Sequence, residues 1–235
     1  MNIKNRKFII RILFYMIGLL CLAFGVAFSI NSKLGVSPVN SLPYIISLIT
    51  GNEVGICVIA LFSFYILIQI VILRKEFKWI NLTQLVFSTI FGYFVNFAKS
   101  VLGDFTIPTY AGQLCMLVIS ILLVALGVCL YVDVKLVNMP MEGMTAAINV
   151  KIFRKLPFHD VKVIMDCTVV VIGIMLSLMF LGGIEGIREG TVICALLVGK
   201  IMKPMQKVIV PMIEITCFQK ANSVLHTHET GTAMS

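Results

Sequence analysis

The chain has 235 residues, of which 59% are hydrophobic and 13% charged, and its mean hydropathy is +1.02. A soluble domain carries about 25% charged residues, so that class is excluded and an integral membrane protein is indicated. The formal charge of +8 lies in short clusters between apolar runs, not along one polar face, which excludes a nucleic-acid binder and marks cytoplasmic anchors beside membrane spans.

The basic start (Lys4, Arg6, Lys7, Arg11) leads into an apolar run from about Phe8 to Ile30. The run exceeds the ~7–15 residue core of a signal peptide and no small-residue cleavage site follows, so it reads as a retained first span. Gly18, Cys21, Gly25 and Ser29 share one face of it, and small residues let two helix backbones approach closely in lipid. The stretch from Ser32 to Leu42 (Ser-Lys-Leu-Gly-Val-Ser-Pro-Val-Asn-Ser-Leu) then breaks the pattern. A short apolar helix follows from about Pro38 to Thr50, only ~20 Å long against the ~30 Å hydrocarbon core. Ser37 is placed to cap it and Pro38 to be its first helical residue. Full-length helices are predicted over Gly55 to Leu73 and Asn81 to Leu102, with Arg74, Lys75 and Lys78 between them.

The same order then recurs. A helix over about Gln113 to Val132 places Ser120 and Gly127 where Gly18 and Gly25 stood. The run from Val134 to Met144 repeats the first break without a gap, keeping lysine, leucine and proline in register as Lys135, Leu136 and Pro140. A second short helix (Pro140 to Phe153) and a full-length one (Val161 to Leu181) follow. The last helix starts near Gly190 and is expected to be interrupted at Pro204, with Met205 to Phe218 continuing as an amphipathic or interfacial segment, not a clear span. Residues 1–218 thus form a single membrane domain, with repeat one at about 8–103 and repeat two at about 113–218. The polar stretch 219–235 reads as a disordered cytoplasmic tail.

Charge selects the topology. If both short helices crossed the membrane, the Arg74-Lys75-Lys78 and Lys151-Arg154-Lys155 clusters would lie on opposite sides, against the positive-inside rule. If both are re-entrant, every basic cluster is cytoplasmic, as are both termini. The expected fold is therefore an all-α polytopic membrane protein of two homologous repeats. Each repeat has three full transmembrane helices and one half-membrane re-entrant helix, and the second is inverted relative to the first.

Leu34-Gly35-Val36-Ser37-Pro38-Val39-Asn40-Ser41-Leu42, together with Arg188-Glu189-Gly190-Thr191-Val192-Ile193 leading to Ala195, Leu196 and Gly199, resembles the YczE/YyaS membrane proteins, relatives of the YitT family. The likeness covers essentially the whole chain except the tail. It implies a multi-pass protein of the bacterial inner (cytoplasmic) membrane and no particular biochemical activity.

The chemistry-bearing candidates lie at the breaks. A helix that starts within the membrane aims its unpaired N–H groups and positive dipole end at the interior, a site for an anion or carboxylate. Ser37, Pro38 and Asn40 begin one such helix and Pro140 and Glu142 the other. Lys33 and Lys135 either add positive charge there or reach out to headgroups. Glu142 and Asp166 are acids at a depth that costs about 2.5 kcal/mol or more unless a cavity or a partner receives them. They are candidates for proton coupling or cation recognition, or for pairing with Lys135 or Lys162. Asn96, Lys99, Lys200 and Lys203 either line a pathway or anchor helix ends.

The seven cysteines lie singly in apolar runs, and His159, His226 and His228 lie in a loop or the tail, so no disulfide framework, metal site, cofactor or enzyme is expected. The pattern of paired, interrupted helices points to a secondary transporter or exporter of a small solute, an anion among the candidates, working in the lipid bilayer and compatible with a homodimer. The alternative is a non-transporting accessory protein that binds another membrane assembly. The two differ in whether the space between the short helices is a polar cavity or is filled.

Overall fold

The computed structural model describes residues 3–77 and 79–218. The predicted tail, with His226 and His228, and Lys78 of the first basic cluster lie outside the described residues. All regular structure among those residues is helical: α1 (Ile3–Ser32), α2 (Pro38–Thr50), α3 (Val54–Leu73), α4 (Thr83–Leu102), α5 (Tyr110–Asp133), α6 (Pro140–Lys151), α7 (Phe158–Leu181) and α8 (Glu189–Ile213). Two 3-10 turns (Arg74–Glu76, Trp79–Leu82) join α3 to α4, and a π-helical turn (Glu214–Phe218) follows α8. The order long, short, long, long occurs twice.

Five of these helices are long and apolar enough to cross a membrane, those of α1, α3, α4, α5 and α7. Three were expected in each half. The sixth, α8, falls short because Lys200, Lys203 and Lys207 lie in one stretch of it. Pro204 does not interrupt α8, contrary to the sequence expectation, and the helix runs on through Pro204 and Pro211 to Ile213. A proline removes one main-chain donor but is tolerated in a membrane helix where neighbouring groups take over its partner's role. The first short helix has the predicted bounds, and the second ends at Lys151, not Phe153. Gly51 closes α2 in the left-handed conformation, its N–H returning to Ser47 O, as a glycine after a helix end readily does.

The core is built on a seam between α1 and α5. Gly18 faces Gly127 so closely that a Cβ added to the first would lie 2.9 Å from the carbonyl of the second, and the reverse addition gives 2.7 Å. Further along the seam, Ser120 Oγ donates to Gly25 O at 2.7 Å. The small residues therefore do what their spacing implies: they bring two backbones into contact. Tyr15, Leu19, Phe62, Phe91 and Leu117 fill the buried space around the seam. Large apolar side chains on α3 and α7, such as Leu67, Val71, Met175 and Met179, point outward as a lipid-facing surface would require.

Hydrogen bonds and ion pairs identify the helix termini that meet. At one end of the bundle Arg11 donates to Val134 O and Lys135 O, each at 2.9 Å, joining the start of α1 to the end of α5. The end of α3, the start of α4 and the end of α5 surround one cavity at that end, and Lys151, the last residue of α6, pairs with Glu76 after α3 at 2.5 Å. At the other end Asn31 donates to Gly103 O, Gly55 N to Asn96 Oδ1, and Gly190 N to Leu34 O. That gathers the end of α1, the end of α4, the start of α3 and the start of α8. The chain segments flanking α2 thus lie at one end of the bundle, and those flanking α6 at the opposite end.

The short helices pack most extensively outside their own halves. α2 lies on α7 and less extensively on α3, and α6 lies on α3 and less extensively on α7, while α1 packs on α4 and α5 on α8. One pairing has no counterpart: α3 runs along α4, but α7 and α8 have no comparable contact.

Candidate functional site

Where α7 and α8 stand apart, a cavity of about 620 Å³ opens into the bundle. Its wall includes the first turns of both short helices, Ser37, Pro38, Val39 and Asn40 from α2, and Met139, Met141 and Glu142 from α6. Two interrupted helices from different halves therefore begin at one space, of the size usual for a small-molecule site. Leu22, Phe62, Phe91, Val124 and Val128 give it an apolar floor, and α7 adds Lys162 and Asp166.

The two first turns satisfy their polar groups differently. In α2, Ser37 occupies the N-cap position but its hydroxyl caps no main-chain donor, a departure from the predicted role. It accepts instead from Asn40 Nδ2 at 3.2 Å, while Ser37 O accepts from the N–H groups of both Asn40 and Ser41. Pro38 has no N–H, so Val39 supplies the first main-chain donor of the helix. Asn40 is 5% exposed, and its Oδ1 has no hydrogen-bond partner. In α6 the corresponding third helical residue is Glu142. Its carboxylate accepts from the Tyr131 hydroxyl at 2.8 Å, so the first turn of the helix carries its own acid.

Asp166 pairs with Lys162, one turn earlier on α7, which makes that wall neutral as a unit. Of the eight residues singled out from the sequence, the fold brings Ser37, Pro38, Asn40, Glu142 and Asp166 to the cavity. Pro140 lies behind, its carbonyl accepting from Gln69 Nε2 at 3.0 Å. Lys33 and Lys135 are elsewhere. Both are exposed and adopt positive φ, 57° and 54°, immediately past α1 and α5, with their carbonyls held by Arg188 and Arg11 respectively. Asn96 and Lys99 tie helix ends together through Gly55 and Asn31, and Lys200 and Lys203 are exposed. None of these six lines the cavity between the short helices.

Sequence reasoning missed the residues that fix α6. Gln69 on α3, 1% exposed, donates to Gln84 Oε1 on α4 as well as to Pro140 O. Gly143 makes room for the pair, because a Cβ there would stand 2.6 Å from Gln69 Oε1. An amide inside an apolar span is itself a signal, since it must find a partner there. On the far side of this pair lies a second cavity of about 650 Å³, lined by Gln84, Asp133, Lys135 and Asn138. The two cavities share Val132 at the end of α5, Asn138 in the loop before α6 and Ala146 in the second turn of α6, so they adjoin there.

Comparison with known proteins gives a family and no mechanism. A profile described as "Family of unknown function (DUF6198)" matches residues 9–207. The chain is 27% identical over 200 residues, 85% of its length and 86% of the relative's, to a Bacillus subtilis (strain 168) protein described as "Uncharacterized membrane protein YczE". No solved structure matches.

Proposed function

Since the chain belongs to this family of unknown function, DUF6198, no activity comes with the assignment, and we propose on physical grounds that it is a secondary transporter or exporter of a small solute bound between the two short helices. The observation that carries this reading is that α2 and α6 open their first turns on one cavity lined by a half-buried acid, Glu142, and by Asn40, whose amide oxygen is unpartnered. Paired interrupted helices starting at a common space are the arrangement by which many carriers hold solute. An accessory protein has no need of such a space.

The proposal includes the architecture. Residues 8–103 and 113–218 are inverted repeats, and α2 and α6 are re-entrant from opposite faces. In support, Lys151 pairs with Glu76, which puts the Arg74 and Arg154 clusters on one face. The residues flanking α2 likewise meet at the other end of the bundle, through Leu34, Gly190, Gly55 and Asn96. Crosswise pairing along the seam, Gly18 with Gly127 and Gly25 with Ser120, is what a two-fold axis between the halves would produce. With the basic face cytoplasmic, as the positive-inside rule requires, both ends of the domain are cytoplasmic and the membrane is the inner one of a bacterium. Glu142 supplies coupling, and Asp166 with Lys162 a charge pair that can open.

The test is flux in proteoliposomes holding the full chain, profiled with labelled amino acids, organic acids and phosphate, for the native protein, Glu142→Gln and Asp166→Asn. The expected result is flux of at least one solute class that falls more than tenfold in Glu142→Gln. Equal flux in both variants, with normal folding, would remove the coupling roles, and no flux of any class would remove the carrier reading.

A further inference from the structure

We infer that the cavity between α2 and α6 recognises a zwitterion, an α-amino carboxylate with an apolar side chain, and not a simple anion. This rests on the reading of that cavity as a solute site and assigns its chemistry. Two helix starts of equal charge would make it an anion site, but the two are not equal. At α6 the first turn already carries the carboxylate of Glu142, which takes a hydrogen bond from Tyr131 Oη at 2.8 Å and lines the cavity. Each carboxylate has about four acceptor positions, so room for further donors remains on it. An incoming anion is repelled at that end and an ammonium is attracted.

At α2 the start carries no acid. The dipole end and the Val39 N–H stay available to a carboxylate. Beside them is Asn40 Oδ1, buried, pure acceptor and without partner, which calls for a donor in the same place. An ammonium and a carboxylate on one carbon are the closest-spaced pair of groups that answers both demands. Lys162 and Asp166 cancel each other and add no net sign. The remaining walls, Leu22, Phe62, Phe91, Val124 and Val128, offer an apolar side chain a dry surface. The gap between α7 and α8 gives access from the side.

Equilibrium binding to the full chain in lipid nanodiscs tests this with three probes of one shape: L-leucine, its amide leucinamide, which keeps only the positive charge, and 4-methylpentanoate, which keeps only the negative. Saturable leucine binding is expected, with each single-charge analogue at least tenfold weaker. Glu142→Gln should erase the preference for leucine over 4-methylpentanoate. Asn40→Asp, which gives α2 an acid too, should weaken both carboxylate probes. If Glu142→Gln fails to fold, Asn40→Leu serves, and should weaken leucine more than 4-methylpentanoate. Binding of 4-methylpentanoate or of leucinamide as tight as that of leucine overturns the inference, as does a folded native protein that binds no leucine up to millimolar concentration. Binding without flux would count against the carrier reading and leave this inference standing.

Discussion

In α2 the third helical residue is Asn40, an amide that folds back on Ser37 and keeps one oxygen unpartnered. In α6 the same position is Glu142, an acid that accepts from the Tyr131 hydroxyl. The surrounding scaffold treats the two helices alike: each begins with proline, runs twelve or thirteen residues and packs on the third helix of the other half. Their fixings differ, with main-chain bonds from Gly186 and Gly190 holding the loop before α2, and the Gln69–Gln84 pair holding α6. A further difference lies between α3–α4, which are packed, and α7–α8, which are not, and the cavity opens in that missing contact. The lesson is that two short helices with a like start and like packing can carry different chemistry in their first turns, an unpartnered amide in one and an acid in the other.

Breaking the symmetric frame should have the largest effect. Gly127→Leu pushes a side chain into Gly18 O and the α1 backbone, so folded protein should be lost, read by size-exclusion of the detergent-solubilised chain, and Gly18→Leu should act equally. Gly199→Leu meets nothing within 4 Å of its Cβ and should fold normally while partly filling the cavity. The next largest effect belongs to the asymmetric fixing of α6. Gln69→Leu strands the Pro140 carbonyl and Gln84, and should lower stability by about 1–3 kcal/mol in thermal or denaturant unfolding. The smallest sharpens the likeness of the halves. Lys33→Gly and Lys135→Gly relieve a left-handed backbone at equivalent positions, and each should raise stability by under about 1 kcal/mol, to the same extent.

Much of this frame is legible in the sequence. Pro38, the run to Thr50 and Gly51 state where α2 starts and stops, and Gly18, Gly25, Ser120 and Gly127 mark the seam, because these are local or periodic signals. Length and hydropathy also identify the membrane class. The placement of Lys33 and Lys135 was not legible: whether a lysine next to a break turns inward depends on what holds its carbonyl, and here Arg188 and Arg11 come from distant parts of the chain. Nor was the continuity of α8 through Pro204, which depends on its neighbours more than on the proline. Asp166 could be paired with Lys162 by helical spacing alone. The meeting of Asn40 with Glu142 around one cavity, by contrast, is a consequence of how the halves exchange their short helices, which no single stretch of sequence records.

The central claim is that both short helices turn back within the membrane, and it is tested most directly by single cysteines at Lys75 and Lys155 in a chain with its seven native cysteines replaced. A membrane-impermeant thiol reagent, applied to right-side-out and to inverted membrane vesicles, should label both positions only in the inverted ones. Labelling of the two positions from opposite sides would contradict it.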